Sequence, residues 1–326
     1  MDLKRLVRNA AGKSLFAIAL AMAAGLAYAQ SYPSKPIRII VPFGPGGSSD
    51  IVARVFGEYL QGVTKQPVVV ENRAGANGII GTRFVKEAAP DGYTLELSTN
   101  TTHAANVSLY KELPYDAMED FEHIAPFGMS ASVAMVAKDS GINSIADLVN
   151  YAKANPDKTF YGYYNSASQM SAELFRLKTG APISGVSYKA VGNVASDLMG
   201  GHIQVAFMEY LPAVGHVEGG NLRPLGVTAN KRYSGWPDVP TIGESYPGYE
   251  LDFHLGLVAP RGTPAEIVDK LHGWVTDATS DPAFIAKLRE LGMEPITMSR
   301  QEYVDFSRQK IEYWAQQVKA AGVKPL

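Results

Sequence analysis

The segment of this chain best suited to chemistry is Ile37-Arg-Ile-Ile-Val-Pro-Phe-Gly-Pro-Gly-Gly-Ser-Ser-Asp50, and that chemistry is anion binding. Strand-forming residues 37–41 run into an uncharged Pro/Gly loop, and an amphipathic helix follows. Ser48 and Ser49 are candidate N-caps, and Ile51, Val52, Val55, Phe56 and Leu60 share one helical face. Such a loop leaves free backbone N–H groups at the positive end of a helix, among residues too small to block a ligand. It is not a nucleotide cradle. Gly44, Gly46 and Gly47 lack the G-x-G-x-x-G spacing, and no lysine follows as a P-loop requires. A tight strand-to-helix connection with no ligand stays open on these residues alone.

Other reactive constellations are absent from the sequence. No G-x-S-x-G elbow occurs, and the six histidines (103, 123, 202, 216, 254 and 272) show no metal-ligand spacing. Asp50, just inside a helix start, reads as a complement to the helix dipole rather than a catalytic acid. No cysteine is present, which removes disulfides, thiolate metal sites and lipidation through an N-terminal Cys. Neither a metal nor a cofactor is expected. A binding protein is the favoured class, and a secreted α/β enzyme acting on a small carboxylate is the alternative.

The elements that must position the loop alternate between strand and helix up to about residue 230. Strands are predicted at 68–71, 93–98, 133–137, 160–163, 186–188, 203–207 and 225–228, with helices near 79–88, 144–154, 168–179 and 192–200. This alternation predicts an α/β fold of βαβ units with mostly parallel sheets. Beyond residue 260 the pattern is helical. Capping-box patterns occur at Ser144, at Thr263 with Pro264 at the first helical position, and at Ser299. No flexible tether occurs, so two domains joined by crossing segments near 128–132 and 250–255 are expected. Domain 1 would comprise 30–130 and 254–326, domain 2 would comprise 131–253, and a ligand would sit between them.

Residues 1–29 read as a secretory leader: a basic stretch, an apolar run from Ser14 to Leu26, and Ala27-Tyr28-Ala29 before the cut. The apolar run is short for a membrane span. Cleavage after Ala29 leaves 297 residues with 26 basic and 31 acidic side chains, a net charge of −5. That balance argues against nucleic acid or an anionic membrane as partner. A soluble monomer in the periplasm, with no direct membrane anchor, is expected.

Several blocks in order resemble one family, the Bug-type extracytoplasmic solute receptors of tripartite tricarboxylate transporters. They are Tyr32-Pro-Ser-Lys-Pro-Ile-Arg38, Val41-Pro-Phe-Gly-Pro-Gly-Gly-Ser-Ser-Asp50, Val70-Glu-Asn-Arg-Ala-Gly-Ala-Asn-Gly78, Pro90-Asp-Gly-Tyr-Thr-Leu95, Leu113-Pro-Tyr-Asp116, Tyr188-Lys189 and Pro237-Asp-Val-Pro-Thr-Ile242. The resemblance implies a periplasmic binding protein-like fold, two α/β domains around a central ligand cleft. It implies a small organic acid as ligand, passed to a membrane permease of that transporter type or to a sensor kinase.

Carried over by position, Phe43, Gly46, Gly47, Ser48 and Ser49 would contact one carboxylate, and Asn77 and Gly78 would wall the cleft. The third element is the turn holding Tyr163, Asn165, Ser166, Ala167, Ser168 and Gln169. There Tyr163 and Asn165 stand where the family usually has glycine, and Gln169 stands where it often has histidine. Met208 replaces a frequent Asp, with Glu209 next, and His254 replaces a frequent Trp. Tyr161, Tyr163, Tyr164 and Tyr210 cluster near these turns and tilt the expected ligand toward an aromatic mono- or dicarboxylate such as a phthalate-type acid.

Overall fold

The computed structural model describes residues 32–233 and 235–325, so the expected leader at 1–29 lies outside the described residues. The first lobe opens with β1 (Ile37–Val41), α1 (Ser48–Thr64), β2 (Val68–Asn72), α2 (Ile79–Lys86) and β3 (Thr94–Thr99). A wide helical turn (Thr101–Ala105) then leads into the short α3 (Asn106–Leu109), and β4 (Phe121–Ala137) carries the chain across to the second lobe. There follow α4 (Ile145–Ala154), β5 (Phe160–Tyr163), α5 (Ser166–Thr179), β6 (Ser184–Ser187), α6 (Val191–Met199), β7 (Val205–Glu209), α7 (Tyr210–Glu218), β8 (Leu222–Val227) and α8 (Ile242–Ser245). The return strand is β9 (Asp252–Pro260), followed by α9 (Ala265–Ser280), α10 (Pro282–Glu290), β10 (Glu294–Pro295) and α11 (Arg300–Ala320).

The strand order is β2-β1-β3-β9-β4-β7-β5-β6, with β8 and β10 also pairing with β4. β4 is 17 residues long and serves both lobes. Phe121 to Ala131 pair with β9, and Ser132 to Met135 pair with β7. Helices cover both faces, so β4 is buried at all but Glu122 and Met129. In the first lobe, Ile37, Ile39 and Val41 meet the α1 face of Val52, Phe56 and Leu60, while Ile40 faces Val85 and Phe121 on the other side. In the second lobe, Val136, Phe207 and Leu225 pack with Phe175 of α5 on one face, and Val133, Met135 and Met208 pack with Val194 and Leu198 of α6 on the other.

Three expectations change. The sheets are parallel only at their flanks (β1 with β2 and β3, β5 with β6 and β7), while every pairing of β4 and β9 is antiparallel. The two crossing strands run against each other because β4 takes the chain out of the first lobe and β9 brings it back. Pro264 is the N-cap of α9 rather than its first helical residue, and Thr263 Oγ1 donates to the Pro260 carbonyl at 2.8 Å, so no capping box forms there. At Ser144 half a box forms: its side chain accepts from the Asp147 N–H, while the Asp147 carboxylate turns to Asn143 N–H. The box at Ser299 is complete, with Glu302 answering. α11 packs on both lobes: Tyr303 and Ser307 lie beside Ser98 and His123, and Trp314, Val318 and Ala321 join a cluster that Ala104, Ala105 and Leu109 share with the core of the second lobe. Among the described residues no helix is long and apolar enough to cross a membrane.

Candidate functional site

The carboxyl ends of β1, β3, β5 and β7 converge, and the site is built there, where open α/β sheets place ligands. The loop after β1 is held by Asp50. Its carboxylate accepts from Gly46 N–H (3.0 Å), Arg54 Nη2 (2.8 Å) and Asn72 Nδ2 (3.0 Å), and Asn72 Nδ2 also reaches the Phe43 carbonyl (3.0 Å). Burial opposes the Asp50 charge, but the hydrogen bonds from Arg54, Gly46 and Asn72 outweigh it and keep the carboxyl below its usual range. Asp50 is thus a brace. The bracing starts α1 one residue early: Gly47 is its N-cap, without a side-chain bond, and Ser48 and Ser49 lie inside the first turn instead of capping it.

On the second lobe Asn165 caps α5. Its side chain accepts from Ser168 N–H at 2.8 Å, and Ser168 Oγ answers toward Asn165 N–H at 3.3 Å. Facing it, Glu209 stands at the end of β7. Glu209 Oε2 accepts from Ser48 N–H at 3.2 Å, and Oε1 accepts from Asn165 Nδ2 at 3.3 Å. A second bridge between lobes runs from Ser166 Oγ to Asn106 Oδ1 at 3.3 Å, and Asn106 Nδ2 in turn holds the Asn77 carbonyl at 3.0 Å.

Two cavities meet between these walls. The inner one has a volume of ≈ 30 Å³ and is lined by Phe43, Gly47, Ser48, Ser49, Asn165 and Glu209, together with Thr99, Asn100, Thr101, Val191, Phe253 and Leu255. The outer one has ≈ 690 Å³ and is lined by Phe43, Asn77, Gly78, Tyr163 and Gln169, with Tyr110, Tyr188, Val323 and Lys324. Phe43, Gly44, Tyr164 and Lys189 border both. The Tyr164 hydroxyl is sealed from water without a hydrogen-bond partner, and burial, then the Glu209 charge, raises its pKa.

Six of the expected contact residues line neither cavity. Gly46 spends its N–H on Asp50 and adopts φ +86, a turn geometry that suits glycine. Ser166 and Ser168 are consumed by the bridge to Asn106 and the α5 cap, and Ala167 is in the core. Met208 is fully buried, because strand alternation turns it to the face opposite Glu209. His254 is 2 % exposed and lies edge-on to Phe306. Burial, aided by Lys310 and His123, lowers its pKa to about 3. Of the four tyrosines, Tyr163 and Tyr164 reach the cavities. Tyr161 donates to Glu173 at 2.6 Å, and Tyr210 lies tilted against Trp236 with ring centroids 4.5 Å apart.

Residues 99–101, Val191, Phe253 and Leu255 went unread as walls of the site. For 99–101 a signal existed: they follow β3, the parallel neighbour of β1, so their strand end had to open on the same crevice. Among the described residues no group of three His, Cys, Asp or Glu side chains is placed to hold a metal ion.

Residues 52–323 match the family described as tripartite tricarboxylate transporter family receptor. BugT of Bordetella pertussis is 36% identical over 312 residues, covering 94% of this chain and 95% of that protein. Two solved structures superpose along most of the chain. R. palustris Rpa4515 with adipate has a TM-score of 0.88 at 33% identity, covering 91% of this chain and 100% of its own. The periplasmic binding protein BugD has a TM-score of 0.85 at 31% identity, covering 90% and 100%. These likenesses span both lobes and the loops that form the two cavities. The chain therefore belongs to the tripartite tricarboxylate transporter receptor family, a family of solute-binding receptors and not of enzymes.

Proposed function

We propose that this chain is a periplasmic receptor, exported through a leader cleaved after Ala29, that captures a small organic carboxylate with a planar aromatic body. As a monomer it would hand the ligand to the membrane permease of a tripartite tricarboxylate-type transporter or to a sensor kinase. The lobes formed by 30–130 with 254–326 and by 131–253 act as jaws, with α11 bridging them. One observation carries this reading. The polar inner cavity shares Phe43, Gly44, Tyr164 and the cationic Lys189 with a chamber walled by Tyr110, Tyr163, Tyr164 and Tyr188.

A volume of ≈ 690 Å³ lies within the roughly 300–1,000 Å³ typical of small-molecule sites. Offset or edge-on ring pairs add about 0.5–1.5 kcal/mol beyond burial. Each charge-assisted hydrogen bond to the ligand's carboxylate contributes about 1.5–3 kcal/mol. A few such contacts plus apolar burial reach the roughly 8 kcal/mol of micromolar binding after ordering costs. Adipate, held by the relative Rpa4515, supports the carboxylate class. The tyrosine walls favour an aromatic body.

Calorimetry and thermal shift on residues 30–326 with benzoate, phthalate, succinate, citrate and glutamate test this. The cognate acid at 100 times its Kd should add about 2.7 kcal/mol of stability. Binding of aliphatic acids or amino acids alone refutes the aromatic preference, and binding of none refutes the carboxylate receptor.

A further inference from the structure

The cleft already holds a carboxylate of its own. Glu209 reaches across it, bonded to Ser48 N–H at the start of α1 on one lobe and to Asn165 Nδ2 at the start of α5 on the other. No lysine or arginine pairs with Glu209 among the described residues, so neutral donors and the end of a 17-residue helix stabilise its charge. That place is also where an incoming carboxylate would be served best, by first-turn N–H groups at the positive end of α1. Two other polar groups of the inner cavity lack partners. Asn100 is 2 % exposed with its Nδ2 unbonded, and the sealed Tyr164 hydroxyl is unbonded too. A space of ≈ 30 Å³ holds about one water, so a second carboxylate does not fit beside Glu209. A cation stands where the two cavities adjoin: Lys189 borders both and has no carboxylate partner among the described residues.

We infer that Glu209 is a specificity-determining residue. It supplies from within the chain the carboxylate that a dicarboxylate would bring to α1, and the receptor therefore selects monocarboxylates. The ligand's one anionic group lies toward Lys189, and the end facing Glu209 is neutral or carries a hydrogen-bond donor such as an amino or hydroxyl group. A diacid would either set two like charges side by side in a nearly dry space or force Glu209 off both of its donors. This inference rests on the carboxylate-receptor reading and narrows its ligand class.

The test is calorimetry with length-matched pairs, benzoate against terephthalate and hexanoate against adipate, with 4-aminobenzoate and 6-aminohexanoate as donor-bearing probes. Wild type, Glu209→Gln and Glu209→Ala are compared. Glu209→Gln keeps the shape and removes the charge, and Glu209→Ala empties the seat. Wild type should bind the monoacid of the better-bound pair at least tenfold more tightly than its diacid, which is about 1.4 kcal/mol. Both variants should shift that ratio at least tenfold toward the diacid. A wild type that prefers the diacid overturns the inference, as does a ratio unchanged within twofold in both variants. No binding of any of these acids to any of the three proteins overturns the receptor reading and the inference together.

Discussion

Glu96 of β3 is fully buried directly behind the Thr99–Thr101 wall, and replacing it with glutamine should remove a pH dependence from the stability of the first lobe. Its Oε1 accepts from Thr82 Oγ1 at 2.9 Å, and its Oε2 has no partner. Around it stand His103, whose Nδ1 is 3.7 Å away, Tyr115 and Tyr303, and His123 and His254 neighbour His103 in turn. Burial pushes the Glu96 carboxyl up to about 8 and pushes His103 well below its usual value, so at neutral pH both are uncharged. The unfolded carboxyl titrates near 4.5. Stability from the protonated Glu96 is therefore fully present below pH 4.5 and lost as pH rises to about 8. His103, His123 and His254 act in the opposite sense. Their folded values are lowered, so their contribution is present above 6.5 and lost as pH falls. At pH 6.5 the unfolded histidines are still half charged and add stability as pH rises toward 8, so the Glu96 contribution is read as the difference between wild type and Glu96→Gln. At about 1.4 kcal/mol per pH unit, the wild type should lose about 2 kcal/mol relative to Glu96→Gln between pH 6.5 and 8. Urea unfolding of both ligand-free proteins at pH 6.5, 7.3, 8 and 9 measures it, and the stability of the wild type relative to Glu96→Gln should decline across the window. Parallel curves for the two proteins would refute the reasoning.

Lys189→Gln should weaken binding of the cognate carboxylate by about ten- to hundredfold, the usual worth of one charge-assisted contact, and should flatten the salt dependence of binding in calorimetry. An unchanged Kd at low salt would remove Lys189 from the site. Gly78→Ala should cost about 1–3 kcal/mol in chemical denaturation, because φ is +86 and the new Cβ would meet Thr102 Cγ2 at 2.6 Å. The same Cβ would approach Phe43 Cζ at 3.3 Å, so ligand affinity should fall along with stability. A loss under 0.5 kcal/mol would show that the turn relaxes freely.

Local patterns carried the flanks of the fold and failed at its centre, for physical reasons. β1, the glycine loop and α1 were legible because strand alternation, loop composition and a helical apolar face follow one another without conflict. β4 was legible only at 133–137. Pro126 and Gly128, residue types that usually interrupt a strand, sit at register shifts of a continuous one, and Gly128 is required because a Cβ there would meet the Glu294 carbonyl at 2.6 Å. β9 was taken for a mere crossing segment, since a strand covered on both faces lacks the polar alternation that announces one.

The candidate site divides the same way. Phe43, Ser48, Ser49, Asn77, Asn165 and Glu209 reach the cavities because each follows or precedes a strand end that composition revealed. Positions 208 and 209 are the instructive pair. Family resemblance marks 208 as the departure, but β7 pairs Val133 with Met208 and Ser132 with Glu209, and successive residues on a strand face opposite ways. Met208 therefore fills the core, and the altered chemistry of the cleft belongs to Glu209. Its partner Ser48 lies 161 positions earlier in the chain, and no periodicity or capping rule spans that distance. Only the folding of β4 and β9 across both lobes brings the α1 start to the β7 end, so the identity of the anion on that helix is a property of the topology.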